Sequence, residues 1–150
     1  MPKRRSAHRV QGPASLRRLA LFRYQLRRFL RFSERAARAG GVTPLQHQLL
    51  LGLAGFARGG SATVSELAEF LQERHNAVVG LVQRAVARRL VRKARSANDH
   101  RIVRVSITRR GARVLRKVAR LNLQELKQLR VRLPKGFELR RRAPKKFQEG

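Results

Sequence analysis

The stretch TVSELAEFLQERHNAVVGLVQRAVARRLVRKARSANDHRIVRVSITRRG, residues 63–111, decides the fold. It opens on Thr63-Val64-Ser65-Glu66, where the threonine hydroxyl can accept from a helical N–H and the glutamate can reach back to the threonine N–H, the reciprocal cap that starts a helix. Val64, Leu67, Ala68 and Leu71 then recur at helical spacing until the pattern breaks near Gln72 to Arg74. A second run extends from about His75 to Arg89. Val78, Leu81, Val82, Ala85 and Val86 form its apolar side, while His75, Asn76, Val79, Gly80 and Gln83 point elsewhere. After Arg89 the helical period gives way to alternation. Val91 to Arg95 and Ile102 to Ile107 read as two short antiparallel strands, the second alternating Val103, Val105 and Ile107 against Arg104 and Ser106. The polar, basic segment Ser96 to Arg101 joins them.

Working outward, Leu16, Leu19, Phe22, Leu26, Phe29, Leu30, Ala36 and Ala37 lie on one face of a long helix from Ser15, which Gly40 and Gly41 end. Thr43-Pro44-Leu45-Gln46 repeats the capping logic, with proline at the first helical position where its missing N–H costs nothing. That helix runs to about Ala57 on Leu45, Leu49, Leu53 and Phe56. Downstream, Thr108 caps a helix from Arg109 to about Leu133 on Leu115, Val118, Ala119, Leu126 and Leu129. At about 1.5 Å per residue it spans roughly 37 Å. A small domain cannot cover that length alone, so part of its apolar face is expected to meet another subunit. Pro134 and Gly136 stop it.

The expected organisation is a mobile basic arm over 1–14, one folded unit over 15–133 and a basic tail over 134–150. Within the unit, 43–108 is the central part and 15–39 and 109–133 are the flanking helices. The fold class is mainly α with a small β-hairpin wing: a winged helix-turn-helix between long N- and C-terminal helices.

Charge narrows the partner. The 150 residues carry 37 Lys and Arg against 8 Asp and Glu, a net charge of +29, and 30 of the basic residues are Arg. Such self-repulsion is best relieved by a polyanion, and released counterions favour binding when Arg and Lys meet phosphates. Double-stranded DNA suits the fold: the major groove, about 12 Å wide, accepts a helix, and a narrow A·T-rich minor groove favours an inserted guanidinium. The chain has no Cys, which excludes disulfides, thiolate metal sites and thiol-based sensing. No stretch approaches the about 20 apolar residues of a membrane span, and the N-terminus lacks a secretory apolar core, so a cytoplasmic, nucleoid-associated protein without membrane contact is expected.

Catalysis and cofactors find no support. The acidic residues Glu34, Glu66, Glu69, Glu73, Asp99, Glu125, Glu138 and Glu149 are scattered, and no phosphate loop or nucleophile elbow occurs. His8, His47, His75 and His100 show no metal-ligand spacing, so no metal is expected. His47 reads as a surface or core-edge residue, and Ser65 as a cap or a phosphate contact.

The order of Thr63 to Leu71, Asn76 to Val91, Asp99-His100-Arg101, then Val103 to Ile107 with Thr108-Arg109-Arg110-Gly111 resembles a MarR-family transcriptional regulator. The resemblance covers roughly residues 15–133. It implies that Arg101 enters the minor groove and that Asp99, the chain's one aspartate, steadies it. It also implies a homodimer held by the first and last helices, placed on an inverted-repeat operator, with a small aromatic or phenolic effector between those helices and the winged lobe. Four features depart from the family. Gln72 and Arg89 stand where glycines are common, and Val79 and Gly80 stand where Thr-Arg is frequent. Base readout is then weaker or rests on Arg74, His75, Asn76 and Gln83. Only Phe137 to Gly150 stands in place of a final interlocking helix.

The expected DNA-facing set is Ser65, Arg74, His75, Asn76, Val79, Gly80, Gln83 and Arg84 on the helix pair, with Arg95, Asn98, Asp99, His100 and Arg101 on the wing. The function expected is a sequence-specific regulator, a repressor, acting as a homodimer. The competing reading is an architectural nucleoid-type DNA binder with little sequence preference, and RNA binding ranks third because the chain has one Tyr and no Trp to stack on bases.

Overall fold

Three threonines start three of the helices. Thr43 and Thr63 each accept from the backbone N–H three residues on, at 3.1 and 3.2 Å, and each receives the returning side chain of Gln46 or Glu66 at its own N–H. The Thr108 hydroxyl accepts from the Gly111 N–H at 3.0 Å. In the computed structural model, which describes residues 12–129, these caps open α2 (Pro44–Leu51), α3 (Val64–Leu71) and α5 (Arg109–Gln128). The other elements are α1 (Pro13–Ala39), β1 (Ser61–Ala62), α4 (His75–Ala87), β2 (Val91–Arg95) and β3 (Val103–Ile107). The strands form one antiparallel sheet in the order β1-β3-β2, with Val91 opposite Ile107 and Arg95 opposite Val103.

The core lies between α2, α3, α4, the sheet and the N-terminal half of α5. Leu49, Leu50, Leu53, Leu67, Val78, Leu81, Val82 and Val105 are buried, and Ala36, Ala37 and Val42 bring the end of α1 and the α1–α2 corner onto the same cluster. The mainly helical fold with a hairpin wing is as the sequence predicts.

Several boundaries differ. α1 begins at Pro13 rather than Ser15, because Gly12 serves as its N-cap, accepting from the Ser15 and Leu16 N–H groups, and a proline fits the first turn. Residues 12–14 therefore do not belong to a basic arm. The stretch after α2 widens into a π-helical turn at Gly52–Phe56. There the Phe70 ring packs so closely that a Cβ at Gly52 would overlap it, and it meets the Phe56 ring at 4.7 Å between centroids. β1 pairs Ser61 with Ser106 and Ala62 with Val105, a two-residue strand too short for periodicity to reveal. On α5 the buried positions are Gly111, Leu115, Val118, Asn122 and Leu129, whereas Leu126, expected to face inward, is 45% exposed. Leu115 and Val118 join the core, whereas Glu125 and Gln128 near the end of α5 share a cavity lining with Leu21, Tyr24 and Arg28 of α1. The expected helix end near Leu133, the stops at Pro134 and Gly136, and the terminal arm and tail lie outside the described residues.

His47 is 2% exposed rather than at the surface or core edge, and neither ring nitrogen has a partner. Burial lowers its pKa from the ordinary 6.5. The unfolded ring takes up a proton near 6.5 while the folded one resists it, so the unfolded state binds more protons and stability is lost as pH falls through about 6.5. Urea melts of the wild type should shift to lower midpoint between pH 7.5 and 5.5. His47→Leu should flatten that dependence and be no less stable at pH 7.5, since it removes two unpaired buried nitrogens.

Three backbone positions bear on glycine, two of them opposite in expectation to the third. Arg89 adopts φ 57° without a side-chain hydrogen bond, and Gln72 adopts φ 56° as the C-cap of α3. Gly111 instead presses against the Leu90 carbonyl, where a Cβ would overlap the oxygen. Arg89→Gly should stabilise by roughly 0.5–1 kcal/mol through relief of left-handed strain. Gly111→Ala should cost more than about 2 kcal/mol, because backbone rather than a flexible side chain must move. Thermal melts of the two variants should therefore move in opposite directions.

Candidate nucleic-acid interface

The turn between α3 and α4 sets the angle at which α4 leaves the core. Gln72 in the left-handed region lets its N–H reach the Glu69 carbonyl at 3.3 Å and the Glu73 N–H reach the Ala68 carbonyl at 3.1 Å, while the Gln72 side-chain amide donates to Glu69 at 2.7 Å. Arg74 then begins α4 in an extended conformation with no side-chain cap. Val78, Leu81, Val82 and Ala85 anchor α4 in the core, and Arg74, His75, Asn76, Gln83 and Arg84 are exposed. Val79 and Gly80 are half-buried. The Ser65 hydroxyl lies 3.5 Å from His75 Nδ1, which joins the exposed start of α3 to the exposed start of α4.

Gly80 is partly filled by its neighbour one turn on. The Arg84 guanidinium folds back so that its Nη1 would stand 3.2 Å from a Cβ at Gly80. A guanidinium thus overlies the position that lacks a side chain of its own, as the four-residue spacing on one helix allows.

In the wing, Ser96 N–H donates to the Ile102 carbonyl at 2.8 Å and Ile102 N–H to the Asp99 carbonyl at 3.0 Å, closing the tip. The Asp99 carboxylate accepts from the Arg101 backbone N–H at 2.9 Å. Arg95 Nη1 donates to the His100 carbonyl at 3.0 Å. Asn98, Asp99, His100 and Arg101 are all exposed. Asp99 holds Arg101 through the main chain, so the guanidinium keeps its donors.

Two arginines missed by sequence reasoning brace this surface. Arg88, at the end of α4, donates to Gln46 Oε1 at 3.0 Å and to the Gly41 carbonyl at 2.6 Å, tying α4 to the α1–α2 corner. Arg104 on β3 donates from Nε to the Ser61 hydroxyl at 3.0 Å and from Nη2 to the Ser61 carbonyl at 2.9 Å, with Glu66 of the α3 cap 4.0 Å away. Their hydrogen-bond partners lie more than 40 residues away, as with Arg104 and Ser61 at a separation of 43, so no local pattern could have found them.

Residues 40–102 match the model of the MarR family. The matched segment is similar to a MarR-family winged helix. Outside that segment the likeness to MarR-family proteins is one of fold. AbsC, a MarR family transcriptional regulator from Streptomyces coelicolor, superposes with a TM-score of 0.68 at 19% identity, over 94% of this chain and 89% of that one. A MarR family protein from Bacillus stearothermophilus gives 0.69 at 21%, over 85% and 88%. A point variant of MepR from S. aureus, solved bound to an oligodeoxyribonucleotide, gives 0.62 at 18%, over 84% and 88%. No curated protein matches the chain. Among the described residues no three His, Asp or Glu converge as metal ligands, and no helix is long and apolar enough to cross a membrane.

If the Asp99 carboxylate matters as a backbone acceptor, Asp99→Asn should bind duplex DNA nearly as wild type. Asp99→Ala should lose about fivefold, the equivalent of one hydrogen bond of roughly 1 kcal/mol. Fluorescence anisotropy on one duplex separates the two.

Proposed function

We propose that this chain is a sequence-specific, double-stranded DNA-binding transcriptional repressor acting as a homodimer on an inverted-repeat operator. The observation that carries the proposal is the pairing of two exposed elements on one braced scaffold: the start of α4 with His75 and Asn76, and a wing tip whose Arg101 backbone is pinned by Asp99. Arg74, Asn76, Gln83 and Arg84, with Val79 and Gly80, face the major groove; Ser65 and His75 flank a phosphate; Arg101 enters the minor groove with Arg95, Asn98 and His100 around it. A helix start in the major groove and a wing arginine in the minor groove are complementary readouts of one site.

The dimer is supported by apolar surface that one chain leaves uncovered. Leu16, Leu19, Leu26 and Leu30 of α1 and Leu123 and Leu126 of α5 are 42–59% exposed, on the two helices that pack against each other. Seated between α1 and α2 is a cavity of about 220 Å³ lined by Leu30, Ser33, Glu34, Pro44, Leu45, His47 and Gln48. A small aromatic effector would find mainly apolar walls there, from Leu30, Pro44 and Leu45. A cytoplasmic, nucleoid-associated location accompanies this reading. The net charge of +29 and the missing donors at Val79 and Gly80 favour the second reading, an architectural binder with little sequence preference.

Binding to a duplex from upstream of its own gene and to a shuffled duplex, each between about 50 and 300 mM salt, tests both. A preference of about 10³ or more that persists at high salt is expected for the regulator, whereas equal affinities that collapse together establish the architectural reading. Arg101→Ala should reduce operator affinity about tenfold or more. Leu26→Glu with Leu123→Glu should convert a sedimenting dimer to monomer and weaken operator binding with it.

A further inference from the structure

The side of α1 turned away from the core is a row of arginines. Arg23, Arg27, Arg31 and Arg35 occupy every fourth position and Arg38 continues the row, all exposed. At about 1.5 Å rise per residue they form a stripe roughly 22 Å long with a guanidinium about every 6 Å. Phe22, Phe29 and Ser33, on the opposite side of the helix, are half-buried or buried. α1 holds eight arginines and one acidic residue, Glu34, and none of the five stripe arginines has an ion-pair partner among the described residues.

Folding supplies no reason for this row. Like charges four residues apart oppose helix formation, and here three such pairs follow in succession. The stripe lies on a helix that packs mainly on α5 and α2, whereas α4 packs on α3, β2 and α2.

We propose that the α1 arginine stripe is a second, sequence-independent surface for the phosphate backbone of duplex DNA, able to hold one duplex segment while the winged helix holds another. The stripe is all arginine, whose planar forks suit phosphate oxygens in pairs. Its length corresponds to about six base pairs at 3.4 Å each, and duplex DNA offers a phosphate charge every 1.7 Å of axis to a surface whose one carboxylate, Glu34, is outnumbered by the five arginines. An anionic bilayer would draw the same charge but requires a free apolar face beside it. The leucines next to the stripe, Leu19, Leu26 and Leu30, are those the proposed dimer covers. The inference rests on the proposed regulator to that extent, and in using its operator to occupy the first site.

The test uses the full chain as a preformed complex with unlabelled operator duplex, to which a fluorescent duplex of unrelated sequence is added. Wild type should capture the second duplex, with affinity falling steeply as salt rises. The combined variant Arg23→Gln, Arg27→Gln, Arg31→Gln, Arg35→Gln should lose capture at least tenfold while binding operator within threefold of wild type. Its melting temperature should not fall, because glutamine relieves repulsion. The matching lysine variant should retain part of the capture, and Arg101→Ala should lose operator yet still bind the unrelated duplex. Unchanged capture by the glutamine variant overturns the proposal. So does an equal loss of operator binding, which would make the stripe part of the first site, or binding by the stripe to phosphatidylserine vesicles with no second duplex held. A wild type that binds no operator defeats the regulator reading alone, since unrelated-duplex binding by wild type and the glutamine variant still tests the stripe.

Discussion

The carbonyl of Leu90 is the junction on which the molecule turns. It accepts from the Thr108 N–H at 3.0 Å, lies 3.0 Å from the Thr108 hydroxyl, and is covered by the Cα of Gly111. Leu90 itself is buried, and its N–H closes the end of α4 on the Ala85 carbonyl at 2.9 Å. One residue therefore closes the end of α4, leads into β2, receives the residue that follows β3 and seats the first turn of α5. Shifting it would move the wing relative to α4, because β2 and β3 both depart from it.

Around that junction the structure spends arginine in two ways. Arg88 and Arg104 are committed to hydrogen bonds inside the protein, bracing α4 against the α1–α2 corner and β3 against Ser61 of β1. Arg101 and the α1 row have no such commitments and present donors to solvent. Guanidinium serves both purposes because its five donors can satisfy carbonyls and side-chain oxygens at once, or wait for phosphate. The same residue type thus supplies rigidity where it is tied and affinity for polyanions where it is not.

Much of the local structure was legible in the residues. The capping boxes at Thr43 and Thr63 formed as their spacing required, and the alternation of Val103, Val105 and Ile107 marked β3. The Thr-x-x-Gly pattern at 108–111 proved to be a packing demand at Leu90. Gln72 and Arg89, standing where the related family favours glycine, take the left-handed backbone conformation all the same. There the surrounding turn outweighs a local preference of about 1–2 kcal/mol per residue. Of the residues expected at the site, those at the start of α4 and at the wing tip are exposed, Val79 and Gly80 are half-buried, and the fold of Arg84 over Gly80 was not singled out.

What the sequence determined by itself was whatever depends on neighbours a few residues apart: helix starts, strand alternation, turn positions and the sign of the charge. Capping and periodicity act within one or two turns, so they can be read along the chain. The burial of His47, the pairing of β1 with β3, the exposure of Leu126 and the ties made by Arg88 and Arg104 were decided only by tertiary structure. Each joins residues far apart in sequence, as in the 42 positions between Gln46 and Arg88. Which groups meet at that distance is fixed by how the helices and the sheet pack around the Leu90 junction, and no periodicity in the chain records it.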